Sequence, residues 1–82
     1  MCPTRCLCVV YKSRQRDGLY LYVSKEHGLG GVPVDLLAMF GEPVHVVDLL
    51  LHTRKRLARA NAIEVMDHIV QRGYYMQLPP AS

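Results

Sequence analysis

The chain has 82 residues, half of them apolar and 21% of them charged, with a formal net charge of +3. This composition is typical of one small folded domain and excludes a mostly disordered chain. Apolar runs such as "CLCVVY" and "VVDLLL" fall far short of the ~20 residues that span a bilayer, and the N-terminus has no signal-peptide pattern. We therefore expect a cytoplasmic protein with no membrane segment.

The three cysteines all lie within the first eight residues of the chain. An odd number of cysteines so close together cannot cross-link distant parts of a fold, so we expect reduced thiols that pack as small apolar side chains. The spacing of Cys2, Cys6 and Cys8 also differs from the paired C-x2-C pattern of zinc sites, and a zinc ion would need a remote ligand such as His52. We expect neither a metal nor a cofactor.

The first two elements are predicted to form a β-hairpin. The run "CLCVVY" is rich in apolar and β-branched residues, "LYLYV" alternates, and the polar loop between them ends in Asp17-Gly18. In the second strand, Leu19, Leu21 and Val23 share one face while the two tyrosines share the other.

A short helix is predicted after the glycine-rich loop "GLGG", which spans residues 28–31. In "VPVDLLAMFG", Pro33 suits the first helical position, Leu36, Leu37 and Phe40 form one stripe, and Gly41 is a typical stop. The apolar run "EPVHVVDLLL" that follows fits a central strand covered on both faces, although its pattern alone does not exclude a helix.

The last helix and strand carry clearer signals. Asn61 followed by Glu64 predicts a helix start of the capping-box type. The expected buried stripe consists of Ile63, Met66, Ile69 and Val70. Gly73 should end this helix.

The segment "GYYMQLPP" then predicts a final strand. Tyr74, Met76 and Leu78 should face one way and Tyr75 and Gln77 the other, until the proline pair ends the pairing. The predicted order is β-β-α-β-α-β. It indicates a single α/β (α+β) domain over residues 1–82, with a core at about 6–80 and helices packed on a small mixed sheet.

Four motifs, "VYKS", "YLYV", "VP..L...FG.P" and "GYY.QLPP", occur in this order at compatible spacing. On these motifs the chain resembles the YcgL domain family, from Cys6 to Pro80. The resemblance implies a compact α/β sandwich of the kind found in gammaproteobacteria. It supplies no catalytic or ligand-binding residues to carry over.

The most suggestive functional feature is the basic run "HTRKRLAR". It contains Arg54, Lys55, Arg56 and Arg59, and together with Tyr75 and Gln77 it forms the candidate binding surface. Nucleic-acid sites combine such cations, which replace counterions on phosphates, with aromatic rings on which bases stack. Tyr20, Tyr22 and Tyr75 would supply those rings if their face were open. The alternative is that the run is ordinary solvated surface and the tyrosines are sheet packing, as the small net charge favours.

Catalysis is not expected from this sequence. The four histidines lie in no recognisable motif, the carboxylates are scattered, and "GLGG" lacks the spacing and lysine of a phosphate-binding loop. His45 lies inside an apolar strand, where a hydrogen-bonded structural histidine is the ordinary outcome.

A small domain with a sheet edge and a mixed basic surface often works by docking onto a partner. We therefore expect a non-catalytic binding or accessory module that acts through contacts with a protein partner. The alternative is RNA or DNA binding by the basic run.

Overall fold

The computed structural model describes residues 5–52 and 61–78. Within these ranges the elements follow the predicted order: β1 (Arg5–Ser13), β2 (Tyr20–Ser24), a 3-10 turn (Gly28–Gly31), α1 (Val34–Phe40), β3 (Pro43–His52), α2 (Ala62–Arg72) and β4 (Tyr74–Gln77). The predicted α/β fold class is confirmed. The short 3-10 turn occupies the glycine-rich stretch that was predicted as a loop.

The four strands form one sheet in the order β3-β1-β2-β4, and every adjacent pair is antiparallel. The predicted mixed sheet is thus antiparallel throughout. The reason is the connection through α1, which carries the chain from β2 across β1 to its far side. β2 and β3 do run parallel, but β1 lies between them.

The two helices cover opposite faces of the sheet. On one face, α2 packs against the sheet and the core contains Cys8, Val10, Tyr22, Leu51, Ala62, Val65, Met66 and Ile69. On the other face, α1 and the 3-10 turn cover a core of Val9, Leu19, Leu21, Val23, Val32 and Phe40. We call these the α2 face and the α1 face.

The face alternation predicted for β2 and β4 is confirmed. Leu21 and Val23 belong to the α1-face core, whereas Tyr22 belongs to the α2-face core. In β4, Tyr74 packs on the α1 face and Tyr75 on the α2 face. Period-two alternation in a sheet covered on both sides explains the adjacent tyrosines.

The predicted ends of α2 are confirmed. The Asn61 side-chain oxygen accepts hydrogen bonds from the backbone N–H groups of Ile63 and Glu64, at 2.9 and 3.3 Å. Gly73 ends the helix at φ +94°, in the left-handed region. A Cβ built on Gly73 would lie 2.9 Å from the carbonyl oxygen of Gly31, so this position requires glycine for both conformation and space.

The predicted buried stripe of α2 is partly wrong. Met66 and Ile69 are buried as expected, but Ile63 and Val70 are exposed, and Ala62 and Val65 take their places. The residues 62, 65, 66 and 69 form the i, i+3, i+4, i+7 pattern of one helix face. The sequence contains two overlapping stripes that share Met66 and Ile69, and docking on the sheet selects the one that starts at the small Ala62.

The predicted position of β3 is also wrong, because β3 is an edge strand rather than a central one. Val46 and Val47 are each 44% exposed and Leu50 is 47% exposed, while Leu51 is fully buried. A continuous apolar run does not by itself distinguish an edge strand from a central one. Strand order depends on which strands pair with β1, and that pairing is a long-range property of the fold.

A β-bulge interrupts β3. Val10 of β1 pairs with Val47, whereas the next residue, Tyr11, pairs with His45, so Val46 is an extra residue on the β3 side. A bulge of this kind shifts the phase of the side chains on the strand that carries it.

Candidate functional site

The basic half of the predicted binding surface, Arg54, Lys55, Arg56 and Arg59, lies outside the described residues. Its other members, Tyr75 and Gln77, lie on β4 on the α2 face. The structure therefore places two residues of that candidate surface together and leaves the role of the basic run a prediction.

The Tyr75 ring is half-buried between two other rings. It makes edge-to-face contacts with Tyr22 at 5.8 Å and with His68 at 5.2 Å between ring centroids. The Tyr22 hydroxyl donates to Oε1 of Gln77 at 3.3 Å. Tyr22 itself is buried, and burial, followed by the neighbouring Tyr75, raises the pKa of its phenol. This aromatic cluster belongs to the packing of the sheet, and Tyr22 offers no open ring on which a base would stack.

A groove of mixed polar and apolar lining lies beside these rings. It has a volume of about 490 Å³ and reaches from β3 across the sheet to β4. Its described lining is Val10, Asp17, Gly18, Tyr20, Tyr22, Val46, Val47, Leu49 and Gln77. We call it the edge groove, because the exposed residues Val46 and Val47 form its wall at the β3 edge. Only the apolar character of the third strand pointed to this groove in the sequence.

A second hollow of about 580 Å³ lies at the opposite end of the sheet, between the C-terminal end of α2 and the loop that follows β2. Cys6, Leu7, Ile69 and Val70 form its apolar part, and Arg5, Lys25, Glu26 and His27 contribute charged or polar groups. Lys25 is already committed to an ion pair with Asp48.

The described thiols are structural in character. Cys8 is fully buried, its sulfur lies 3.6 Å from that of Cys6, and burial strongly raises the pKa of the Cys8 thiol. Within residues 5–52 and 61–78, no three His, Cys, Asp or Glu side chains lie close enough together to hold a metal ion. A thiol with a raised pKa, such as that of Cys8, is a poor nucleophile, since the thiolate is the reactive form. Cys2 lies outside the described residues.

A polar cluster on the α1 face of β3 was missed by the sequence analysis. Nε2 of His45 lies 2.7 Å from Oδ1 of Asp48, and Nζ of Lys25 donates to Oδ2 of the same carboxylate at 3.2 Å. The His45 ring also meets the Tyr11 ring edge-to-face at 6.0 Å. The expectation that His45 is hydrogen-bonded is confirmed.

The electrostatics of this cluster follow from the contacts. Hydrogen bonds from His45 and then Lys25 hold the pKa of Asp48 below its ordinary value. All three side chains are about half exposed. The arrangement joins three side chains on the exposed surface of the edge strand to one another.

Neither helix in the described part of the chain has the length and apolar content needed to cross a membrane.

Comparison with known proteins gives one consistent result. The model of the YcgL domain matches residues 8–80. A YcgL domain-containing protein of Hahella chejuensis is 48% identical to this chain, over 98% of the chain and 76% of the relative. One from Pseudomonas putida is 45% identical, over 92% of the chain and 77% of the relative. One from Chromohalobacter salexigens is 49% identical, over 95% and 81%. The chain belongs to the YcgL domain family, as its motifs predicted.

Proposed function

We propose that this YcgL domain is a non-catalytic protein-binding module of the cytoplasm, and that its partner adds an extended strand to the edge of β3 that faces away from β1. The observation that carries the proposal is the combination of a ten-residue strand at the sheet edge with exposed apolar side chains on both of its faces. Strand addition uses the free backbone groups of an edge for affinity and neighbouring pockets for specificity.

The edge groove supplies such a pocket. Val46 and Val47 belong both to the β3 edge and to the groove wall. A strand that pairs with β3 would therefore bring its side chains on the α2 face next to this groove. The described lining combines valine and leucine side chains with tyrosine rings, the Gln77 amide and a single carboxylate, Asp17, which suits binding better than acid–base chemistry.

The unpaired thiols of Cys6 and Cys8 support the proposed compartment, because free cysteines persist where thiols are kept reduced.

The test uses a library of displayed random dodecapeptides, selected against the folded chain. Selected peptides are then measured against three proteins: the unaltered chain, Val47→Lys and the matched control Met39→Lys. Met39 is 47% exposed on α1, away from the edge. A lysine at an edge position opposes strand pairing, so Val47→Lys should weaken binding about tenfold or more, while Met39→Lys should leave it within about twofold.

Hydrogen exchange locates the bound peptide. Added protection of β3 amides supports strand addition. Peptides that bind Val47→Lys as well as the unaltered chain would remove β3 as the binding edge.

RNA stays the alternative partner predicted from the basic run. An amide NMR titration with a short mixed-sequence RNA, at low and then moderate salt, tests it. Shifts at residues 54–59 and Tyr75 that fade as salt rises would favour RNA, because phosphate contacts weaken steeply with salt. The absence of shifts would end that alternative.

A further inference from the structure

We propose that the strand accepted by β3 is β3 of a second copy of this chain, so that the module forms a twofold-symmetric dimer with one continuous antiparallel sheet. This inference rests on the proposed function, since it names the partner of the same edge. A twofold interface must be self-complementary, which means that each residue faces a suitable residue of the identical strand. The bulge and the charges of β3 meet this condition in one register.

The bulge sets the register. His45 pairs with Tyr11 and Asp48 with Val9, so both lie on the α1 face although they are three residues apart. Val46 and Val47 both line the edge groove on the α2 face. A register with Val46 opposite Val47 of the second copy therefore keeps every opposed pair over residues 43–50 on the same face of the sheet.

Slipping by one residue breaks this match. His45 would then lie opposite Val47 or Leu49 of the second copy, whose side chains point to the other face. A one-residue slip in an antiparallel pair carries side chains to the wrong face, so the bulged edge accepts its own copy and rejects neighbouring registers.

The charges are complementary in the matched register. His45 of each chain faces Asp48 of the other chain, on the α1 face. Each carboxylate already accepts from His45 and Lys25 of its own chain, and its two oxygens have further lone pairs for a second imidazole. The result is a ring of alternating imidazoles and carboxylates about the twofold axis.

The apolar residues are complementary as well. Val46 and Val47 meet their counterparts at the axis, and Val44 faces Leu49 of the second copy. The valines are each 44% exposed in the single chain, and the dimer removes them from water. Pro43, which has no N–H to donate, falls at the end of the shared ladder. The two edge grooves then adjoin across the axis.

The experiment is sedimentation equilibrium of the full chain at concentrations from roughly 1 µM to 1 mM. The unaltered chain should reach twice its 9.3 kDa mass. His45→Asp and Asp48→Lys each remove the two His45–Asp48 contacts across the axis, so each should weaken dimerisation about tenfold or more. Circular dichroism of both variants checks that each one folds.

Mixing the two variants separates contacts between chains from contacts within one. In the mixture, the aspartate introduced in one chain faces the lysine introduced in the other. Within each chain, the contact between the side chains at positions 45 and 48 stays broken. A heterodimer that forms on mixing therefore supports the register. A mixture that stays monomeric, or single variants that dimerise as well as the unaltered chain, would overturn it. A monomeric unaltered chain would also overturn it, and the peptide assay with Val47→Lys would still decide the proposed function.

Discussion

His45 and Asp48 lie three residues apart on one strand, yet Nε2 of the imidazole and Oδ1 of the carboxylate are 2.7 Å apart. On a regular strand, residues at this spacing point to opposite faces. The extra residue Val46 shifts the phase of β3 and brings the two side chains together. The contact therefore depends on the bulge. It holds His45 and Asp48 together on β3, the strand whose edge is the proposed binding site.

The first prediction concerns the pH dependence of folding stability. His45 and Lys25 lower the pKa of Asp48 in the folded chain below its ordinary value of 3.8. The contribution of Asp48 to the free energy of unfolding is thus complete above that value and is lost as the pH falls through the lower folded pKa. In urea unfolding from about pH 6 to about pH 2.5, the free energy of unfolding of the unaltered chain should fall towards that of Asp48→Asn.

Lys25→Met serves as the comparison for this prediction. The hydrogen bond from His45 is the first cause of the shift and remains in this variant, so Lys25→Met should keep part of the pH dependence that Asp48→Asn removes. A constant difference between the unaltered chain and Asp48→Asn across the whole range would show that Asp48 makes no such contribution.

The second prediction concerns the close approach of two glycines. Gly73→Ala should lower the free energy of unfolding by about 1–3 kcal/mol, because it forces a side chain into a left-handed backbone conformation and against the carbonyl of Gly31. Gly30→Ala is the control, since a Cβ there meets nothing within 4 Å. It should change the value by less than about 0.5 kcal/mol. Equal effects in urea titrations would contradict the assigned contact.

The third prediction concerns a buried hydroxyl that joins the hairpin to α1. Oγ of Ser13 donates to the carbonyl of Phe40 at 2.6 Å and accepts from the N–H of Arg16 at 3.0 Å. Ser13→Ala leaves both groups without this partner and should cost about 1–3 kcal/mol of unfolding free energy.

Ser24→Ala is the matched control for Ser13→Ala, because the Ser24 hydroxyl, at the end of β2, accepts an exposed hydrogen bond from the backbone N–H of Glu26 at 3.2 Å. If thermal or urea unfolding showed the two variants to be equally stable, the buried hydroxyl would have no special role.

The features that sequence analysis predicted correctly are local ones. The Asn61 cap, the Gly73 stop and the alternation along the strands depend on neighbouring residues, and their physical causes are visible in the sequence. In α2 the sequence allows a buried stripe that starts at Ala62 or one that starts at Ile63. Only packing on the sheet decides between them. Strand order and the bulge at Val46 depend on distant pairings, so the edge position of β3 and the polar cluster on it could not be derived.

The last prediction concerns the reactivity of the cysteines. Cys8 is fully buried, and burial strongly raises the pKa of its thiol, so the reactive thiolate should appear only when the domain opens. In a Cys2→Ser/Cys6→Ser variant, labelling of Cys8 by a maleimide should be at least about 100-fold slower in the folded chain than in urea. In a Cys2→Ser/Cys8→Ala variant, the labelling rate of the half-buried Cys6 should differ less between the folded chain and the chain in urea. Rapid labelling of Cys8 in the folded chain would mean that the β1 core opens readily, and that the α2 face is less firmly packed than the structure shows.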